Sequence, residues 1–304
     1  MSELYVTSTS ARAGKTLYAT SVAKNKLESN ESVYYINLGT GETDKIIEEM
    51  SESYGADKLA YQYIIEDQLD DSSIIAMVSD KKKLFDSVII DGSIGSVTSL
   101  QEPSGAAIVV IHDCSLGVEF DLELITNYAN HDSVSILFNK IPKYKFKEAN
   151  LVAQSCGATV IGTITEDRCI NGLAFDEIMG CLNGKIIDLT VTNKPYIEKF
   201  LIGGNMMDSG KEYFGRFQNQ AVITRSGRPD IQMSSIMAGT RCLILTGSVE
   251  PTEYIISEAR KHRIPMIHVE SSTETTVNIL SGAFGDNPVC IERVNRFSEL
   301  LASS

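Results

Sequence analysis

Gly14-Lys15-Thr16 is the stretch of this chain best equipped to do chemistry. A glycine lets backbone N–H groups converge on an anion, and a lysine ammonium reaches the β- and γ-phosphate oxygens. A threonine hydroxyl at a helix N-terminus can ligate Mg²⁺. The flanking residues fit that use: a run ending in Val6 reads as a strand, Thr7 to Ala13 as a tight loop, and Leu17 onward as a helix. The expected phosphate-contacting set is Thr9, Ser10, Ala11, Arg12, Ala13, Gly14, Lys15, Thr16 and Leu17, with Lys15 and Arg12 as the groups that would assist phosphoryl transfer. Thr9 departs from the full G-x-x-x-x-G-K-[ST] pattern, which has glycine there, so a degenerate loop kept only as scaffold is the competing reading.

A phosphate loop needs a carboxylate beside it to hold the metal. Phe85 to Ser93 reads as an unbroken apolar strand ending in Asp91-Gly92, and a buried strand beside the loop strand would deliver Asp91 to the metal. The alternative is that Asp91-Gly92 merely starts a turn. Asp44 follows the second strand, Ser32 to Asn37, and reads either as a second metal ligand or as the N-cap of a helix from Lys45 to Tyr54. Two more buried strands, Ala106 to His112 and Ser133 to Asn139, come next. The second delivers Asn139 and its neighbour Lys140 before Pro142, and a side-chain amide there can offer a donor and an acceptor to a purine edge. Ala158 to Arg168 reads as a last strand and polar loop. So many alternating strands and helices require a doubly wound parallel α/β sheet with its ligand at the carboxyl ends of the strands.

Bulk properties limit the partners. The chain has 304 residues, 43% hydrophobic and 22% charged, with 27 basic against 40 acidic side chains and a formal charge of −13. That charge opposes nucleic acid and anionic membrane as general partners. No leading apolar segment and no apolar run near the length of a membrane span, about 18 residues, is present, so the expected location is the cytoplasm. Six cysteines without a C-x-x-C pair read as free thiols, and four histidines show no zinc spacing.

The second half reads as its own α/β unit. Strands Ala221 to Thr224, Cys242 to Thr246 and Met266 to Val269 alternate with helices Ile231 to Met237, Glu253 to His262 and Thr275 to Leu280. Arg225, Arg228, Asp230, Thr246 and Gly247 would gather at the strand ends as a small-ligand or anion pocket. Glycine and hydroxyl residues also end strands in any α/β domain, and that reading stays open.

Together, the Thr7 to Thr16 loop, the Asp91-Gly92 strand end, Asn139 to Pro142 and Ile161 to Arg168 resemble the dethiobiotin synthetase-like P-loop fold, in the version found at the N-terminus of long phosphotransacetylases. Leu201 to Met207, Val222 to Ile231 and Cys242 to Ser248 resemble a DRTGG domain, which follows the P-loop domain in those enzymes. The resemblance implies a P-loop NTPase-type nucleotide-binding domain over 1–171 and a smaller DRTGG-like α/β domain over 172–304. It implies that the loop binds ATP, that Thr16 and Asp91 serve Mg²⁺, that Asn139 reads adenine, and that the chain is a homodimer.

Three departures limit the resemblance. Dethiobiotin synthetases carry Lys-Pro, which helps bind the acid substrate, where this chain has Asn37-Leu38. Arg12 replaces the acid that family often has in its loop, and Asp91-Gly92 replaces a Glu-Gly strand end. The sequence stops at Ser304 without an acetyltransferase domain, so acetyl transfer to phosphate is not expected. Two readings follow. One is a regulatory module that binds ATP and answers to nucleotide or metabolite, with an acetyl-transfer or other metabolic enzyme as its partner in trans. The other is an ATP-dependent ligase or synthetase of the dethiobiotin or cobyrinate synthase type, its carboxylate acceptor held near Asn37, Thr40 and Asp113.

Overall fold

The computed structural model describes residues 2–39, 45–65, 71–92, 106–115, 117–118, 134–155, 158–204, 210–286 and 289–304. The chain divides into two compact units, Met1–Asp167 with Val289–Ser304, and Arg168–Pro288.

The first unit is built on a seven-stranded sheet. Its strands are β1 (Ser2–Ser8), β2 (Val33–Gly39), β3 (Leu59–Ile65), β4 (Ser87–Asp91), β5 (Ala107–Asp113), β6 (Val134–Ile141) and β7 (Thr159–Thr165), in the order β3-β2-β4-β1-β5-β6-β7. Every neighbouring pair is parallel. The central strands are continuous apolar runs because a parallel sheet is covered on both faces: all of β4 is buried, as are Ile108 to Ile111 of β5. Tyr5, Ile36, Val88, Ile90 and Val110 pack with Ile74 and Val78 of α3 (Asp71–Lys81). Ile136 and Phe138 pack with Ala149 and Ala153 of α4 (Phe146–Ser155).

β1 lies between β4 and β5, which is the neighbour relation the Asp91 reading requires. The registers align the strand ends: Val6 and Asn37 are both Cα partners of Asp91, and Asp113 is the partner of Asn139. The connecting helices α1 (Lys15–Glu28) and α2 (Lys45–Tyr54) fall where the periodicity puts them. The strand β3 is an addition, an edge strand reached only through its pairing with β2.

The second unit has a five-stranded sheet in the order β11-β12-β13-β14-β9. It contains α5 (Arg168–Asn171), β8 (Leu173–Ala174), α6 (Phe175–Leu182), β9 (Lys185–Ile186), β10 (Tyr196–Ile197), β11 (Lys199–Gly203), α7 (Gly210–Phe214), β12 (Gln220–Arg225), α8 (Pro229–Met237), β13 (Cys242–Thr246), α9 (Glu253–Lys261), β14 (Met266–Val269) and α10 (Thr273–Asp286). Strands β11 to β14 are parallel, and β9 closes one edge antiparallel. Alternate residues feed two cores. Ala221, Ile223, Ile244 and Ile267 face α6 and α10, whereas Val222, Leu243, Leu245 and Met266 face α8 and α9.

The final helix, α11 (Ile291–Ala302), returns to the first unit, so a division at 171/172 running to residue 304 does not match the packing. The cause is an apolar stripe. Val294 and Phe297 are fully buried, Phe297 meets Tyr18 of α1 edge-on with ring centroids 6.4 Å apart, and α11 also contacts β7. Burial pushes the Tyr18 phenol up to about 12. The Arg296 guanidinium grips Asp167 through Nε at 3.0 Å and Nη2 at 2.9 Å. The second unit is therefore an insertion between β7 and α11 of the first.

Candidate functional site

The loop after β1 turns through two left-handed residues, Arg12 at φ 61° and Gly14 at φ 100°, and enters α1 at Lys15. Glycine is at ease in that region and arginine is not, so the Arg12 conformation must be imposed by neighbours. The structure supplies them from the end of β6. The Asn139 amide nitrogen donates to the Ala13 carbonyl at 2.8 Å, and the Lys140 ammonium donates to the Arg12 carbonyl. Lys140 is itself fixed by Asp113 at 3.1 Å. On the other side the Thr9 amide donates to the Ile111 carbonyl at 3.0 Å, and the Thr9 hydroxyl bonds to His112 Nδ1 at 3.1 Å.

Gly14 is the N-cap of α1 and offers no side chain to it, and the first turn of the helix contains no acidic residue. The N–H groups there meet no carboxylate of their own helix, and the helix dipole adds partial positive charge at the same place. Both features suit an anion.

Asp91 is the electrostatic centre. It is fully buried at the end of β4, and donors from two elements converge on it. The Lys15 ammonium lies 2.7 Å from Oδ1, and the Thr16 hydroxyl donates to Oδ2 at 2.7 Å. From β2 come the Tyr35 hydroxyl at 3.2 Å and the Asn37 amide nitrogen at 3.4 Å, both to Oδ2. Thr16 and Asp91 thus stand together, a hydroxyl and a carboxylate of the type Mg²⁺ uses when phosphate and water complete its shell. Among the described residues no group of three or more His, Cys, Asp or Glu could hold a metal by itself.

The other residues expected at the site divide. Ala13 and Leu17 are buried beneath the loop, while Ser10, Ala11 and Arg12 are exposed on it. Both ends of the Asn139 amide are engaged, since its Oδ1 also accepts from the Lys140 N–H at 2.9 Å. It braces the loop, and offering its amide to a purine would mean sharing those bonds. Asp44 and Thr40 lie outside the described residues. Tyr35 is not among the site residues the sequence points to, and Asn37 is expected beside a carboxylate acceptor rather than at Asp91. The available signal was their i, i+2 spacing on a strand next to the one ending in Asp91.

In the second unit the expected pocket is largely satisfied from within. The Arg228 guanidinium binds Asp230 through Nε at 3.0 Å and Nη2 at 2.8 Å. That pair, with the Ile231 N–H, holds the Asp230 carboxyl below the usual carboxylate range and raises Arg228. Thr246 Oγ1 bonds to Thr273 Oγ1 at 2.8 Å, and the Gly247 N–H donates to the Val269 carbonyl at 3.0 Å. Arg225 is exposed at the end of β12.

A DRTGG domain matches residues 177–283, within the second unit. Solved structures with a similar fold include the MinD cell division protein of Aquifex aeolicus, 15% identical, with 55% of this chain and 83% of that one covered and a TM-score of 0.41. Cobyrinic acid a,c-diamide synthase from Mycobacterium smegmatis with bound ADP and magnesium is 14% identical, covering 51% and 81%, with a TM-score of 0.36. The CBS and DRTGG domains of the regulatory region of Clostridium perfringens pyrophosphatase, complexed with diadenosine tetraphosphate, are 18% identical, covering 53% and 69%, with a TM-score of 0.32. No helix among the described residues is long and apolar enough to cross a membrane.

Proposed function

We propose that this chain is a cytoplasmic regulatory module whose first unit binds ATP with Mg²⁺ and whose second, DRTGG-bearing unit responds to that binding or to a metabolite. The observation that carries the reading is the convergence of Lys15 and Thr16, at a helix start with no capping side chain, on the buried carboxylate of Asp91. Backbone N–H groups and Lys15 would bind the β- and γ-phosphates, and Thr16 with Asp91 would hold the cation, which offsets phosphate charge.

The insertion supports a regulatory role. Both chain crossings into the second unit leave from elements of the first, β7 and α11, and α11 packs on the helix that begins with Lys15. A change felt at α11 would reach the phosphate loop along one rigid helix. A homodimer, with a metabolic enzyme such as an acetyl-transfer enzyme as partner in trans, completes the proposal.

The ligase reading has less behind it. Asn37 stands where dethiobiotin synthetases carry lysine, and it donates to Asp91, while Leu38 is buried. Asp113, placed by that reading near the acceptor, is paired with Lys140 and accepts the Ser115 N–H at 2.9 Å. Neither arrangement offers a cation to a small carboxylate.

Calorimetric titration with ATP and Mg²⁺ tests the reading. Lys15→Ala is expected to weaken binding at least about thirtyfold, the loss of about 2 kcal/mol for a truncated charged partner. Unchanged affinity in a variant with a native circular dichroism spectrum would remove it.

A further inference from the structure

The two side chains that the proposed site needs are already committed to each other's neighbour. Lys15 is held by Asp91 Oδ1 at 2.7 Å and Thr16 by Oδ2 at 2.7 Å, and the carboxylate they share has no exposed surface. A polyphosphate arriving alone must draw Lys15 away. That would leave a buried carboxylate whose remaining partners here, Thr16, Tyr35 and Asn37, are all neutral. A divalent cation arriving alone must take Asp91 from the ammonium and would then sit beside a lysine with nothing to pair with. Among the described residues it would also find no group of three acidic, histidine or cysteine ligands to hold it without phosphate.

When both arrive, the obstacles cancel. Asp91 exchanges an ammonium for the cation, Lys15 turns to the phosphate, and no buried charge is left without a partner. We propose that Lys15, Thr16 and Asp91 form a lock opened only by polyphosphate and divalent cation together, so that each raises the affinity of the other by the same factor. This rests on the nucleotide reading above and adds to it the rule by which the site fills.

The decisive variant is Asp91→Asn. An asparagine can keep its oxygen toward Thr16 and Tyr35 and turn its amide nitrogen toward Lys15, which repels the ammonium and frees it. The lock therefore predicts a gain of function in one condition: with EDTA present, ATP and inorganic tripolyphosphate bind Asp91→Asn at least about tenfold more tightly than wild type. Mg²⁺ then adds almost nothing, whereas in wild type it tightens ATP about a hundredfold. A carboxylate serving only as a metal ligand predicts the loss with Mg²⁺ but no gain without it.

Calorimetry on the full chain separates the outcomes. If wild type binds ATP equally with Mg²⁺ and with EDTA, or if Asp91→Asn binds metal-free ATP no better than wild type, the lock is overturned while the nucleotide reading stands. If wild type binds ATP in neither buffer, both fall. Should Asp91→Asn fail to fold by circular dichroism, Asp91→Ser takes its place in the metal-free titration, because it too removes the charge that holds Lys15.

Discussion

Lys15–Asp91 and Arg228–Asp230 are both pairs of a basic and an acidic side chain at the carboxyl edge of a parallel sheet, one in each unit, and they are built in opposite ways. Asp91 has no exposed side-chain surface and gathers donors from α1 and β2. The Arg228 and Asp230 side chains are 37% and 64% exposed and lie two residues apart in sequence. The helix starts differ in the same sense. Nothing acidic stands in the first turn of α1, whereas Asp230 fills the first turn of α8 and takes the Ile231 N–H. An anion approaching α8 would meet a carboxylate already in place. The first edge gathers contacts from separate elements around one buried carboxylate, and at the second two side chains pair within their own turn.

The largest expected effect tests this contrast. Lys15→Met leaves Asp91 buried among neutral donors and should lower unfolding free energy by about 3 kcal/mol, read from urea denaturation. Arg228→Met removes an exposed local pair and should leave the midpoint unshifted. Equal shifts in the two variants would erase the distinction between a buried pair and a surface one.

The glycines sharpen it. Gly14 and Gly247 have nearly the same positive φ, 100° and 94°. A Cβ on Gly14 would meet Asn139 Nδ2 at 2.5 Å, while at Gly247 nothing lies within 4 Å. Alanine at either site carries left-handed strain of about 1–2 kcal/mol. At Gly14 it must also push Asn139 off the Ala13 carbonyl, adding about 1 kcal/mol for that hydrogen bond. In the Gly14→Ala, Asn139→Ala double variant the clash is gone, so the combined loss should fall short of the sum of the two single losses. Strict additivity would mean that Asn139 does not brace the loop.

How much of this was legible follows the same division. The Gly14-Lys15-Thr16 turn, the apolar strand ending in Asp91 and the strands of the second unit were readable because each is a local pattern of residue type and period. Tyr35, the bracing by Asn139 and Lys140, and the return of α11 were not. Each depends on a partner far along the chain: Asn139 meets Ala13 across 126 positions, and Arg296 meets Asp167 across 129. Arg228 and Asp230 show the converse: their residue types fit an anion pocket, and in the structure the two side chains pair with each other. Residue type shows which groups can do chemistry, while strand register decides which of them are left free for it.

The smallest effect concerns the histidines that complete the two edges. His268 Nε2 bonds to the Gly247 carbonyl oxygen at 2.7 Å. His112 holds Thr9 through Nδ1, and its ring stands edge-on to Phe138 with centroids 5.5 Å apart. Burial holds His112 below the ordinary imidazole value, and the neighbouring Asp113 charge pulls it only partly back. The folded chain therefore binds this proton less readily than the unfolded chain, whose histidines titrate near about 6.5. Where the unfolded state carries more protons, stability rises with pH. The His112 contribution is thus full above about pH 6.5 and is lost as pH falls through the lowered folded value. Urea midpoints measured at a series of pH values should show a shallow acid-side decline in wild type that is reduced in His112→Phe. Parallel curves for the two proteins would mean that His112 pays no burial penalty on protonation, and that the loop contact made through Thr9 is indifferent to its charge.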